Sequence, residues 1–326
     1  MEASGGLAEG TPRLTRRTVS RLVSLAVKVV VTLGALYLVF RTVDVGGLAG
    51  RLARINLPLF AVAVLAVLVQ VGLIALRWRL VVGRLDPHHR PSPGLAAAIT
   101  LSSQFGNQFM PLVGDALRAL LAARAGIRAR VSITSAIIDR GLGLVVLLCL
   151  TVPSLLLWRL VMPAPLLSMS LLAAALVLLA GFVLVLLAGS PLVVLLPARM
   201  QGPVAAILED TRRVFLDPPT MLATGSLSLV VHLMSVVIVW VLSHALATPI
   251  APVTLLVLVP PMLFAAMLPF TVGGWGVREG AVVWFLSATG TPPDAALLLS
   301  VSFGATLLVA ALPGAVTWFG LVRRAG

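Results

Sequence analysis

The sequence predicts an all-α integral membrane protein, with about six transmembrane helices plus two re-entrant helical hairpins arranged as an inverted repeat. Three observations predict it. The 326-residue chain is 60% hydrophobic and only 11% charged, against about 25% charged in soluble domains. Six apolar runs are long enough to span roughly 30 Å of hydrocarbon at about 1.5 Å per residue. Two further apolar regions are interrupted by proline and glycine beside an acid and a base.

Residues 1–20 form a polar, basic arm with Arg13, Arg16, Arg17 and Arg21 around its end. This collar reads as an orientation signal and a lipid-surface contact. A single transmembrane domain follows over residues 21–322, with halves at about 21–160 and 161–322. Its predicted spans are residues 22–41, 57–82, 131–157, 165–189, 221–247 and 294–320. The first run follows a polar arm and is long enough to remain as an anchor, so no cleavable signal peptide is expected.

The broken regions are residues 95–126, interrupted at Pro111 and Gly114, and residues 252–290, interrupted at Pro269, Gly273, Gly274 and Gly276. Bent backbone survives at membrane depth only where protein or a wet cavity receives its polar groups. Both regions are therefore read as hairpins that enter and leave on one side. Residues 190–220 carry mixed charges and read as a cytoplasmic surface helix joining the halves.

Charge sets the orientation. With the N-terminus inside, 17 of the 24 basic residues fall in cytoplasmic segments, and only Arg41, Arg51, Arg54 and Arg159 fall outside. This bias predicts cytoplasmic N- and C-termini. It also makes the halves inverted: the first hairpin enters from the cytoplasm and the second from outside. Inverted repeats with broken helices near the midplane are a transporter architecture.

Net charge is +13. In a soluble chain that would suggest nucleic acid; here the arginines cluster at helix ends, and nucleic acid is not an expected partner. The single cysteine, Cys149, excludes an internal disulfide and reads as a small buried hydrophobe. Asp86, His88 and His89 are too few for a metal site, and neither a metal nor a cofactor is expected. His232 reads as a packed, hydrogen-bonded histidine. Arg77-Trp78-Arg79 reads as an interfacial anchor. The chain has no Walker, HExxH or GxSxG motif, so neither its own ATPase nor an enzymatic activity is expected.

Ionisable groups at membrane depth cost about 2.5–3.5 kcal/mol each on insertion scales, which makes them functional candidates. They are Asp115, Arg118, Asp139, Arg140, Arg278 and Glu279; Asn107 joins them as a polar neighbour. Asp115 and Arg118 are three apart and are expected to pair on one helix face. Asp115 is also expected in the first turn of its half-helix, where unpaired N–H groups and the helix dipole favour an acid. Asp139–Arg140 and Arg278–Glu279 are adjacent, point about 100° apart, and are expected to reach other elements rather than each other. Pro111, Gly114, Pro269, Gly273, Gly274 and Gly276 are the expected hinges and sites of close backbone approach.

These residues carry a family resemblance. Arg77-Trp78, Asn107 with Pro111 and Gly114-Asp115-Ala116-Leu117-Arg118, Asp139-Arg140, and Pro269 with Gly273-Gly274-Trp275-Gly276-Val277-Arg278-Glu279 resemble the flippase-like membrane region of lysylphosphatidylglycerol synthases. The likeness extends to stand-alone relatives of that region, including hopanoid-associated membrane proteins, and covers about residues 20–322. The family more usually has Glu after the first hairpin's glycine, where this chain has the shorter Asp115. The resemblance implies movement of a lipid or lipid-linked anionic group between leaflets. Synthase activity belongs to a soluble domain after the membrane region and is not expected of this chain. A non-transporting lipid-binding partner of a separate lipid-modifying or glycan enzyme is the alternative. A second copy of the chain is a further candidate partner. The expected location is the bacterial plasma membrane.

Overall fold

The computed structural model describes residues 37, 50, 52–109, 111–161, 166–267 and 276–324. The predicted arm over residues 1–20, the span over 22–41 (Tyr37 apart), and Pro269, Gly273 and Gly274 lie outside the described residues. Among those described, the regular structure is helical: α1 (Leu57–Leu85), α2 (Pro93–Phe109), α3 (Pro111–Arg124), α4 (Ala129–Val161), α5 (Leu166–Val193), α6 (Ala198–Phe215), α7 (Pro218–Ala245), α8 (Pro252–Met267), α9 (Val277–Ser287) and α10 (Pro293–Arg324), with a 3₁₀ turn at Pro87–His89. Five helices, α1, α4, α5, α7 and α10, are long and apolar enough to cross a membrane.

The helix ends follow from local chemistry. Asn56 Oδ1 accepts from Leu59 N–H at 3.1 Å, and Asp217 Oδ2 accepts from Thr220 N–H at 3.2 Å, so α1 and α7 begin with the same side-chain cap. Both have proline in the first turn, where a missing N–H costs nothing. After α3, Gly126 takes φ +91°; after α9, Gly290 takes φ +87°. These left-handed residues let Ile127 N–H return to Ala122 O and Thr291 N–H to Leu286 O, closing both helices alike.

The first broken region does fold back. Only Met110 separates α2 from α3, and a Cβ placed on Gly106 would lie 3.0 Å from Gly114 Cα. A Cβ on Gly114 would overlap Asn107 Oδ1 and the Ser103 carbonyl oxygen. Lipid is as apolar as leucine, so close backbone packing rather than water exclusion holds such pairs. The second pair, α8 and α9, also packs together.

Helices α1 and α7 run antiparallel at the centre. Asn56 N–H at the start of α1 donates to Ala245 O at the end of α7 (2.9 Å), while Arg84 near the end of α1 reaches Asp217 at the start of α7 (3.3 Å). Around them, α2 packs on α10 and α8 packs on α4. Ser102 and Thr317 hydroxyls meet at 2.9 Å, and Gly314 admits the Leu101 backbone. The main core draws Leu155, Ile238, Leu258, Phe264 and Phe285 from four helices.

Helix α6 connects α5 to α7, and the polar segment is helical as the sequence predicts, but its charges are not simply solvated. Asp210 is buried against Arg130 of α4 (3.0 Å). Arg212 donates to Leu186 O and Leu187 O of α5. Pro191 has no N–H to offer Leu187 O four residues back, and Arg212 supplies the missing donor. Cys149 is exposed rather than buried. Trp78 is fully buried, its indole N–H on Ser135 Oγ at 3.1 Å, and Arg77 is 5% exposed, so Arg77-Trp78 is interior and not an interfacial anchor.

Candidate functional site

On α1, Gln70 and Arg77 are seven residues apart and share a face. That face meets hydroxyls on α7. Gln70 Nε2 donates to Val231 O (2.7 Å) and Ser235 Oγ (2.8 Å), and Arg77 Nη1 donates to Ser228 Oγ (2.8 Å). Arg77 then grips Asp139 of α4 with two parallel bonds, Nε to Oδ1 at 2.7 Å and Nη2 to Oδ2 at 3.1 Å. Gly143, one turn further along α4, makes room, since a Cβ there would lie 3.3 Å from Arg77 Nη1. His232 Nε2 is 2.9 Å from Gly143 O; a carbonyl only accepts, so this nitrogen carries the proton.

Arg118 of α3 completes the cluster. Its Nη1 donates to Asp139 Oδ2 at 2.7 Å, and it is 4% exposed. Two buried guanidinium groups thus face one buried carboxylate, a net charge of +1. Arg118 Nε–H finds no acceptor among the described residues. Neighbouring α2 contributes more buried polar atoms in the same condition: Thr100 Oγ1, Ser103 Oγ and Asn107 Oδ1. Asn107 Nδ2 is spent on Gln104 Oε1 at 3.1 Å.

The pairing of the charges differs from the sequence expectation. Asp115 does not pair with Arg118; it pairs with Arg140 of α4, and Arg118 takes Asp139. Two bridges therefore cross from α3 to α4. The i,i+3 contact loses because a carboxylate on a second helix lets each charge meet its partner without bending back along its own. Helix α3 begins at Pro111, so Asp115 is its fifth residue, beyond the unpaired N–H groups of the first turn. Asp139 and Arg140 do diverge, as their 100° separation requires.

Arg278 and Glu279 behave otherwise. Arg278 Nε and Nη2 both donate to Glu279 Oε1, at 2.9 and 2.5 Å. Glu279 Oε2 accepts from Gly276 N–H at 2.6 Å, and Oε1 also takes Ser300 Oγ of α10 at 3.3 Å. Glu279 thus caps α9, the role expected of Asp115, and the adjacent pair closes on itself because that cap turns the carboxylate back toward the helix start. Gly276 sits at φ +87°, a conformation that favours glycine. Gly304 of α10 leaves the space that the Arg278 guanidinium fills.

Asp115 and Arg140 bridge α3 and α4. Their side chains are 20% and 37% exposed, unlike the buried Asp139 cluster. They line a cleft of about 690 Å³ whose other walls are alanines, glycine and branched apolar side chains. Near the α1–α2 turn, Asp86 joins His89 (3.0 Å) and Arg128 (2.8 Å). The Arg128 bond, helped by His89, holds the Asp86 carboxyl below its usual range despite burial. Among the described residues, no three His, Cys, Asp or Glu side chains gather as metal ligands would.

A family model described as the lysylphosphatidylglycerol synthase TM region matches residues 25–314. The chain belongs to this family. It is accordingly an integral membrane protein of the lysylphosphatidylglycerol synthase transmembrane-region family, a membrane domain associated with lipid flippase and synthase function. The matched span contains every candidate residue above, including Arg77, whose role the sequence reading missed. Neither a curated protein nor a solved structure matches the chain.

Proposed function

We propose that this protein moves a lipid or lipid-linked anionic group between membrane leaflets, without an ATPase or enzymatic activity of its own. The observation that carries this reading is the Arg77–Asp139–Arg118 cluster. Buried charge at membrane depth is costly and is kept where a substrate path needs it. Here one guanidinium exceeds the carboxylates, and one of its N–H groups is left for an acceptor. A phosphate oxygen is such an acceptor.

Several features support the accompanying architecture of two re-entrant hairpins in an inverted repeat. α1 and α7 start with the same cap, α3 and α9 end with the same glycine turn, and the contacts map onto themselves when the halves are exchanged: α2 on α10 with α8 on α4, α3 on α4 with α9 on α10. The equivalent helices α1 and α7 run antiparallel, the relation an inverted repeat requires. The hairpin tips would meet near the midplane, with both termini in the cytoplasm of a bacterial cell.

Liposomes with a fluorescent phospholipid in both leaflets test the reading. Wild-type protein should expose inner-leaflet lipid to an external quencher, and Arg118→Ala should slow this at least tenfold. No flux above protein-free liposomes sinks the proposal. Lipid binding without flux would identify a presenting partner for a separate enzyme instead.

A further inference from the structure

Beyond the buried cluster, one charged pair at membrane depth opens to a cavity. Asp115 and Arg140 stand at the polar end of the α3–α4 cleft. Its volume, about 690 Å³, falls in the range of small-molecule sites, roughly 300–1,000 Å³. Ala119, Ala123 and Ala136 keep the floor low, and Leu120, Ile133 and Ile137 project beside it, each about half exposed. An apolar trough of this kind suits an acyl chain, because small floor residues permit close van der Waals contact along its length.

The polar end is neutral overall, with one carboxylate and one guanidinium on opposite walls. A headgroup bearing a phosphate alone would gain Arg140 and face Asp115; one bearing only an amine would gain Asp115 and face Arg140. A headgroup with both charges satisfies both walls. Taking the lipid-moving reading as its basis, we infer that the α3–α4 cleft admits a zwitterionic phospholipid, its phosphate on Arg140 and its amine on Asp115. Binding exchanges one α3–α4 bridge for two protein–lipid bonds. It thereby loosens the first hairpin beside Arg118, whose bridge to Asp139 is the remaining charged link between those helices among the described ion pairs.

The test is native mass spectrometry of the purified full chain. It is offered an equimolar mixture of a zwitterionic phosphatidylethanolamine-type lipid and an anionic phosphatidylglycerol-type lipid with matched chains. Wild type should retain the zwitterion at least tenfold over the anion, since only the zwitterion brings an amine to the Asp115 carboxylate and a charge-assisted hydrogen bond is among the stronger ones. Asp115→Asn should lose that preference, and Asp115→Glu should keep it, separating charge from packing. Retention of the anion over the zwitterion in wild type, or an unchanged preference in Asp115→Asn, overturns this inference and leaves the lipid-moving reading standing. Retention of neither lipid, together with absent flux in liposomes, overturns both.

Discussion

Arg77 reaches across 62 residues to Asp139 and occupies both of its carboxylate oxygens. Arg118 adds a bond to Oδ2 from a third helix. The carboxylate is the shared post, and the two arginines are not equivalent: Arg77 is also tied to Ser228, whereas Arg118 keeps a free Nε–H among the described residues.

Removing the post should therefore be severe. Asp139→Ala leaves two buried cations uncompensated and should destabilise the protein by about 3–5 kcal/mol, read as thermal unfolding in detergent. Arg118→Ala leaves Asp139 gripped by Arg77, so it should lose less stability than Asp139→Ala while losing most of the lipid flux. Equal stability losses in the two variants would contradict this division.

Gly114 is where α3 touches α2. Gly114→Ala drives a methyl group into the Ser103 carbonyl and the Asn107 amide. Backbone cannot step aside cheaply, so the loss should reach about 1–3 kcal/mol. Gly126→Ala, at φ +91° but in open space, should cost about 1–2 kcal/mol from backbone strain alone. Melting curves of the two variants, with and without Asn107→Ala, separate clash from strain: only the Gly114 variant should be partly rescued.

The proposed inverted arrangement makes a topological prediction. With Cys149 replaced by Ser, a cysteine at Arg90 in the α1–α2 connection should react with an impermeant maleimide only from the cytoplasmic side. One at Thr291 in the α9–α10 connection should react only from the other. Labelling of both from one side would exclude the inverted repeat.

Asp86 gives a pH dependence outside the membrane. Its carboxyl is held low chiefly by Arg128 and then by His89. A depressed folded pKa contributes stability above the unfolded value, about 3.9, and that contribution disappears as pH falls through the folded value. Unfolding temperature should decline on acidification below about pH 4, and Asp86→Asn should flatten that decline. A variant with the wild-type slope would show that the Asp86–Arg128 contact carries no stability.

The long helices were legible because apolar length needs no tertiary knowledge: the predicted spans at 57–82, 131–157, 165–189, 221–247 and 294–320 each sit within one helix or overrun its end by at most two residues. The break between α2 and α3 was legible from Pro111 and Gly114. The pairing of charges was not. Asp115, Arg118, Asp139 and Arg140 were all visible, yet i,i+3 spacing favoured a contact that two facing helices override. Arg77 was missed because its neighbours Trp78 and Arg79 look like an anchor at a helix end. The usable signal was the seven-residue step from Gln70 to Arg77, matched by Ser228 and Ser235 on α7. Arg278 and Glu279 failed in the opposite direction, since a cap at Gly276 folds an adjacent pair together.

The reciprocal ties at the ends of α1 and α7 restrict how such a protein could work. With Asn56 bound to Ala245 at one end and Arg84 to Asp217 at the other, the central pair resists sliding in both directions, because either displacement breaks a tie. What remains is rotation about their common axis and movement of the shorter helices packed around them. The centre then serves as an axle, and any alternation of access falls to α3 and α9, the arms that carry Asp115, Arg118, Arg278 and Glu279.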